Sequence, residues 1–287
     1  MDPRIQQQQA LVASRLKDIK HVLIVMSGKG GVGKSTVASG LAVRLSERGK
    51  KVGILDMDLT GPDLPKFLGR ADAKVTNSER GGMAPVKVND NLVLMSLAYL
   101  IPDEKSSVVW RGPMKMGAIR QMLTDVDWGK LDYLVIDLPP GTSDEPLSVA
   151  QSIPDADGCI LVTTPHSVSI LDVMKSIDFG RKLGMHMLGL VENMSGLECP
   201  HCHEGIDLFG KGLGKELAEE FEVPFLGAVA IDPDAASDGG RASVPAVLRD
   251  GSKAAKEFDA VVDRVEEEVG KRPPRKAPKG LGLPMAR

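Results

Sequence analysis

The chain has 287 residues, 42% of them hydrophobic, 26% charged and 3% aromatic, with a formal net charge of −3. That is enough apolar material for a sizeable core in one large α/β unit. The balanced charge and scarce aromatics argue against an overall electrostatic grip on nucleic acid or anionic lipid, and against a surface of stacked bases. The three cysteines, Cys159, Cys199 and Cys202, cannot build a disulfide framework and fit a reducing compartment. Residues 1–20 carry no apolar signal core, and no apolar run reaches the length of a membrane span. A cytoplasmic protein with neither a membrane nor a nucleic-acid partner is expected.

In chain order, residues 1–20 read as a polar helix with Leu11, Val12, Leu16 and Ile19 at helical spacing. Residues 22–26 form an apolar run that ends in a glycine-rich loop, a pattern that predicts a buried strand. Residues 36–48 are helical, with Val37, Leu41 and Leu45 on one face and Gly49 closing the end. Strands follow at 52–55, 92–97 and 133–136, the last ending at Asp137, with a helix at 111–125 between the second and third. Further strands are predicted at 159–162, 187–191 and 226–229, and helices at 171–183 and 253–269. Strands alternating with helices predict an α/β fold, a mostly parallel sheet covered on both faces in a single domain over residues 21–270. Three stretches break the rhythm. Residues 69–90 are polar and glycine-rich and read as a mobile insertion, residues 193–214 as a glycine-rich loop with two cysteines, and residues 271–287 as a basic, disordered tail.

Residues 28–35 read GKGGVGKS, a complete G-x-x-x-x-G-K-S spacing between a strand and a helix. Gly28, Gly30, Gly31, Val32 and Gly33 let the backbone turn its N–H groups toward phosphate oxygens, and the helix starting near Thr36 adds its positive end. Lys34 reaches the outer phosphates of ATP and Ser35 ligates Mg²⁺. Asp137 ends a strand at the carboxyl edge of the sheet, where it can hold the Mg²⁺ shell. Asp56 and Asp58 share one face at another strand end, and one of them can orient an attacking water. Lys29 is either a solvent-facing charge or a lysine that reaches phosphates held by a second subunit.

Cys199 and Cys202 stand at C-x-x-C spacing. One pair supplies two thiolates and an iron–sulfur cluster usually takes four, so a two-fold dimer would complete the set. Zinc held with His201 or His203, and a redox dithiol, fit the spacing equally well. Cys159 lies in an apolar strand and reads as a small core residue.

The two-lysine loop resembles the deviant Walker A of the MinD/ParA/nitrogenase-iron-protein superfamily. Residues 56–65, DMDLTGPDLP, resemble the D-x-D-x-x-G-P-S-x-P stretch of the Mrp/ApbC iron–sulfur carriers. Trp110-Arg111-Gly112-Pro113 is similar to their W-R-G-P, and residues 137–144, DLPPGTSD, to their D-x-P-P-G-T-G-D. Glu192-Asn193-Met194-Ser195 followed by Cys199-Pro200-His201-Cys202 is similar to their E-N-M-S…C-P-x-C. The resemblance implies a homodimeric ATPase that carries a [4Fe–4S] cluster on Cys199 and Cys202 and delivers it to apo-proteins. It also implies that Lys29 acts across the dimer, that Asp58 is the switch aspartate near the hydrolytic water, and that Asn193 contacts adenine. The chain departs from the family pattern at His203, at Leu213 and over residues 237–245. A positioning or partitioning switch of the MinD/ParA kind is the competing reading. A membrane switch of that kind would be expected to end in a basic amphipathic helix, whereas here the last helix carries Glu266, Glu267 and Glu268.

Overall fold

Parallel strands buried on both faces need runs without polar interruption, and residues 22–26 before the glycine loop show this. The computed structural model describes residues 3–58, 61–100, 112–199, 201–202, 204–232 and 251–273. Leu59, Thr60, Trp110, Arg111, Pro200, His203, the 237–245 stretch and the tail from residue 274 lie outside the described residues. The elements begin with α1 (Pro3–Leu16), β1 (Ile19–Met26), α2 (Lys34–Glu47), β2 (Val52–Asp56) and α3 (Leu64–Phe67). Short strands β3 (Thr76–Asn77), β4 (Met83–Ala84) and β5 (Val86–Lys87) precede β6 (Leu92–Ser96), α4 (Gly112–Thr124) and β7 (Leu131–Asp137). Next come α5 (Asp144–Ser152), β8 (Gly158–Thr163), α6 (Ile170–Lys182), β9 (Met187–Glu198) and β10 (Gly205–Ile206). The series closes with α7 (Leu213–Glu220), β11 (Phe225–Ile231) and α8 (Lys253–Gly270).

The main sheet runs β9-β8-β1-β7-β2-β6 in parallel, with β11 parallel to β9; β5 and β10 add antiparallel pairs beyond β6 and β9. Side chains alternate across it. Val22, Ile24 and Met26 of β1 join the core under α1, α4, α5, α6 and α7, whereas Leu23 and Val25 join the core under α2 and α8. This is the expected α/β sheet with helices on both faces. The order places β1 centrally, so the loop after it opens at the carboxyl edge, where the chain turns from one half of the sheet to the other.

Two expectations need correction. The strand read as 187–191 continues through Glu198. Its polar residues Glu192, Asn193 and Ser195 are buried and hydrogen-bonded, and polar residues in a strand imitate a loop when only the sequence is visible. Residues 193–214 therefore hold the end of β9, a hairpin with β10 and the start of α7. Residues 69–90 are also folded: β3 pairs with β4 and β5 with β6. Arg70 donates to the carbonyls of Lys87 and Val88 at 2.9 and 2.7 Å, and Arg80 pairs with Asp127. Helices α3, α5 and α7 were not foreseen. All are short, and α5 starts on Asp144 and Glu145, acidic residues suited to a helix N-terminus.

Helix α8 is bound to the sheet by one stripe: Phe258, Val261, Val262, Val265 and Val269 are all buried. Phe258→Ala should cost about 3–5 kcal/mol of stability, measured by denaturant unfolding. A loss below about 1 kcal/mol, the scale of a surface substitution, would show that α8 does not share the cooperative core.

Candidate functional site

The loop is shaped by two left-handed glycines, Gly31 at φ 80° and Gly33 at φ 84°. Gly33 is the residue on which α2 begins, and only glycine enters that conformation without strain. Gly28 is required for another reason: a Cβ there would stand 2.5 Å from the carbonyl oxygen of Asp172 at the start of α6. The loop borders a cavity of about 300 Å³. Lys29, Gly30, Gly31, Gly33, Lys34, Ser35 and Thr36 line it from one side, Asp58, Gly61, Asp63 and Phe67 from another. Val32 faces the core instead and is 2% exposed.

Beneath the cavity, Lys34 Nζ lies 2.7 Å from Asp137 Oδ1 and the Ser35 hydroxyl donates to Asp137 Oδ2 at 2.6 Å. Asp137 is fully buried and Lys34 nearly so. Burial drives the Asp137 carboxyl above the ordinary carboxylate range, and Lys34 and Ser35 pull it back only in part. In the sheet, Asp56 on β2 stands directly beside Asp137 on β7. Burial and that neighbour push Asp56 up to about 8. Its oxygens accept from the Ser96 hydroxyl at 2.9 Å and the Asp58 N–H at 3.2 Å. Asp58 instead reaches the cavity, and its Oδ1 takes the Gly61 N–H at 3.3 Å. The two aspartates thus have separate positions, Asp56 buried against Asp137 and Asp58 lining the cavity.

Asn193 does not line this cavity. Its side-chain nitrogen donates to the Val32 carbonyl at 3.0 Å, and it fills the space where a Cβ on Gly33 would go. Cys199 and Cys202 flank the turn of the β9–β10 hairpin, which the Cys199 N–H closes on the Glu204 carbonyl at 2.9 Å. Cys202 is exposed and Cys199 half-buried. Among the described residues, no three His, Cys, Asp or Glu side chains come together to hold a metal ion. Cys159 is buried and its thiol is pushed up to about 12 by burial, as a core residue's would be. The sequence offered no sign of the roles of Ser96 and Phe67; Asp63 lay within the DMDLTGPDLP stretch without being assigned.

The family model described as ParA, NUBPL iron-transfer P-loop NTPase, matches residues 18–266. The chain belongs to this family. It is therefore a nucleotide-binding P-loop NTPase of the iron-transfer type. An iron–sulfur cluster carrier protein of Methanocaldococcus jannaschii is 49% identical over 92% of this chain and 90% of its own length. The cytosolic Fe–S cluster assembly factor CFD1 of Kluyveromyces lactis is 51% identical over 76% of this chain and 79% of its own. A nucleotide-binding protein of Archaeoglobus fulgidus, solved in complex with ADP, is 39% identical with a TM-score of 0.73 over 84% of this chain and 94% of that one. The Pyrococcus furiosus cell-division ATPase MinD is 27% identical with a TM-score of 0.59, over 86% of this chain and 99% of that one. Family membership fits the loop and the strand-end aspartates together. Among the described residues no helix is long and apolar enough to cross a membrane.

Asp56 makes the stability of the nucleotide-free protein pH-sensitive. An ordinary carboxyl releases its proton near 3.8, whereas folded Asp56 holds it to about 8. Between those values the folded state binds more protons than the unfolded one, so stability falls as pH rises. In EDTA and without nucleotide, Asp56→Asn should raise the melting temperature more at pH of about 8 than at about 5. A difference from wild type that does not change with pH would contradict this assignment.

Proposed function

We propose that the protein is an ATP-hydrolysing carrier that takes a [4Fe–4S] cluster between the cysteine hairpins of two copies and passes it to apo iron–sulfur proteins in the cytoplasm. The observation that carries this reading is a two-thiol hairpin, with Cys202 exposed and Cys199 half-buried, in a chain that also holds an intact phosphate loop. Each hairpin brings two thiols, and a second copy brings the other two that such a cluster takes. The names of the half-identical relatives favour this cargo over the positioning or partitioning switch.

The backbone N–H groups of residues 30–35 and the start of α2 bind the ATP phosphates, and Lys34 neutralises charge on the outer ones. The Ser35 hydroxyl and Asp137 carboxylate, 2.6 Å apart, are the hard oxygen donors that would hold Mg²⁺. Mg²⁺ held there would supply positive charge to the phosphate oxygens. Asp58, which lines the cavity, orients the water whose oxygen bonds to the γ-phosphorus as the bond to the bridging oxygen breaks. Lys29 reaches the phosphates held by a second copy and stabilises charge on the transferring group. Asn193 serves the nucleotide from the strand end behind Gly33. The cluster is cargo, held by Cys199 and Cys202 of each copy.

Lys29→Ala should retain ATP affinity and lose turnover by about 10³-fold, the lower range for a trans-acting cation, measured at saturating ATP. Wild-type turnover would make Lys29 an ordinary surface charge. Cys199→Ser and Cys202→Ser should each abolish cluster binding with ATP affinity intact, since a symmetric pair has no spare thiolate. Anaerobic reconstitution should give about four irons per dimer in wild type and in Cys159→Ser, and almost none in either hairpin variant. One zinc per chain and no iron uptake would refute the carrier reading.

A further inference from the structure

We propose that Glu192 is a positioning residue through which nucleotide in the phosphate loop sets the conformation of the cysteine hairpin. This rests on the reading above only in requiring that the loop bind nucleotide. Glu192 is fully buried in β9, between Thr163 of β8 and Ala228 of β11. A buried carboxyl is costly unless its oxygens are satisfied, and here both are. Oε1 accepts from the Ser195 hydroxyl at 2.6 Å and the Gly212 N–H at 3.0 Å, and Oε2 accepts from the Gly214 N–H at 2.5 Å.

Those three donors belong to the two arms of the hairpin. Ser195 lies on the outgoing arm, which runs along β9 to Cys199. Gly212 and Gly214 lie where the returning arm, after β10, enters α7. One side chain thus ties both arms at their base. The fit is close: a Cβ on Gly214 would stand 2.9 Å from the Cβ of Glu192. Gly212 has no side chain to cap α7, and Glu192 supplies the acceptor from another element.

The next residue is the loop's own contact. Asn193 donates to the Val32 carbonyl, and its nitrogen lies 2.0 Å from where a Cβ on Gly33 would be. Beyond it the backbone turns left-handed at Met194, φ 58°, and again at Gly196, φ 77°. A non-glycine residue in that region persists only where its surroundings hold it, and here the loop contact holds one side and Glu192 the other. A shift of residues 32 and 33 on phosphate binding therefore passes through Asn193 to the base of the hairpin one peptide away. A Glu192 that merely capped α7 would hold the hairpin equally with and without nucleotide, which separates the two roles.

The test is the rate at which N-ethylmaleimide alkylates Cys202 in the metal-free full chain, with and without MgADP, resolved by peptide mass. Wild type should show a change of about fivefold or more, the lower end of usual coupling between sites. Glu192→Ala should bind ADP as wild type does but alkylate at the same rate in both conditions. Glu192→Gln keeps the acceptor for Ser195 and Gly212 and should restore part of the difference. Should Glu192→Ala not fold, Ser195→Ala cuts the outgoing arm alone and should also shrink the ratio. An unchanged ratio in the variants, or no nucleotide effect in wild type that binds ADP, overturns the proposal. Failure of wild type to bind ADP overturns the nucleotide reading along with it. Iron is not measured, so loss of the cluster reading alone would leave the result standing.

Discussion

The rest of the site depends on the buried contact between Lys34 and Asp137. Pairs of this kind add little net stability, because removing both charges from water offsets most of their attraction. Its value is positional. Lys34 starts the helix after the phosphate loop and Asp137 ends the neighbouring strand, so the 2.7 Å contact holds loop and sheet in one register. Ser35 joins on the second oxygen of Asp137, which brings the lysine, the hydroxyl and the carboxylate to one point at the phosphate loop. Asp56, forced beside Asp137 by strand pairing, carries the electrostatic cost of this arrangement.

From that point the sheet extends the site in two directions. Toward β2, the chain after Asp56 brings Asp58 to the cavity edge. Toward β9, Asn193 supports the loop from behind, and the same strand leaves the sheet to form the hairpin of Cys199 and Cys202. A chain with a shorter β9 would keep its phosphate site and separate it from the thiols. This one strand, Met187–Glu198, carries the loop contact and leads directly into the turn that bears the two thiols.

What the sequence revealed follows the range of the interactions involved. The loop was legible in full because its demands are local: spacing, two positive-φ glycines and a helix start all fall within eight consecutive residues, 28–35. Asp137 was legible as the last residue of an apolar run. The separation of Asp56 from Asp58 was not, because it depends on Ser96 and on pairing with β7. Glu192 and Asn193 were read as the end of a strand, since burial of polar side chains is visible only once their partners from β1–α2 and α7 are in place. Residues 69–90 were misjudged for the same reason: polar composition looks mobile until Arg70 and Arg80 find their distant acceptors.

In the proposed carrier, one chain supplies half of a cluster site and a second copy the other half. Native mass spectrometry of the anaerobically reconstituted protein measures this directly. A particle of two chains carrying a single [4Fe–4S] cluster is expected, reverting to lighter, iron-free species when the cluster is removed. A single chain carrying its own metal, or a dimer whose iron does not depend on the pairing of its chains, would contradict it.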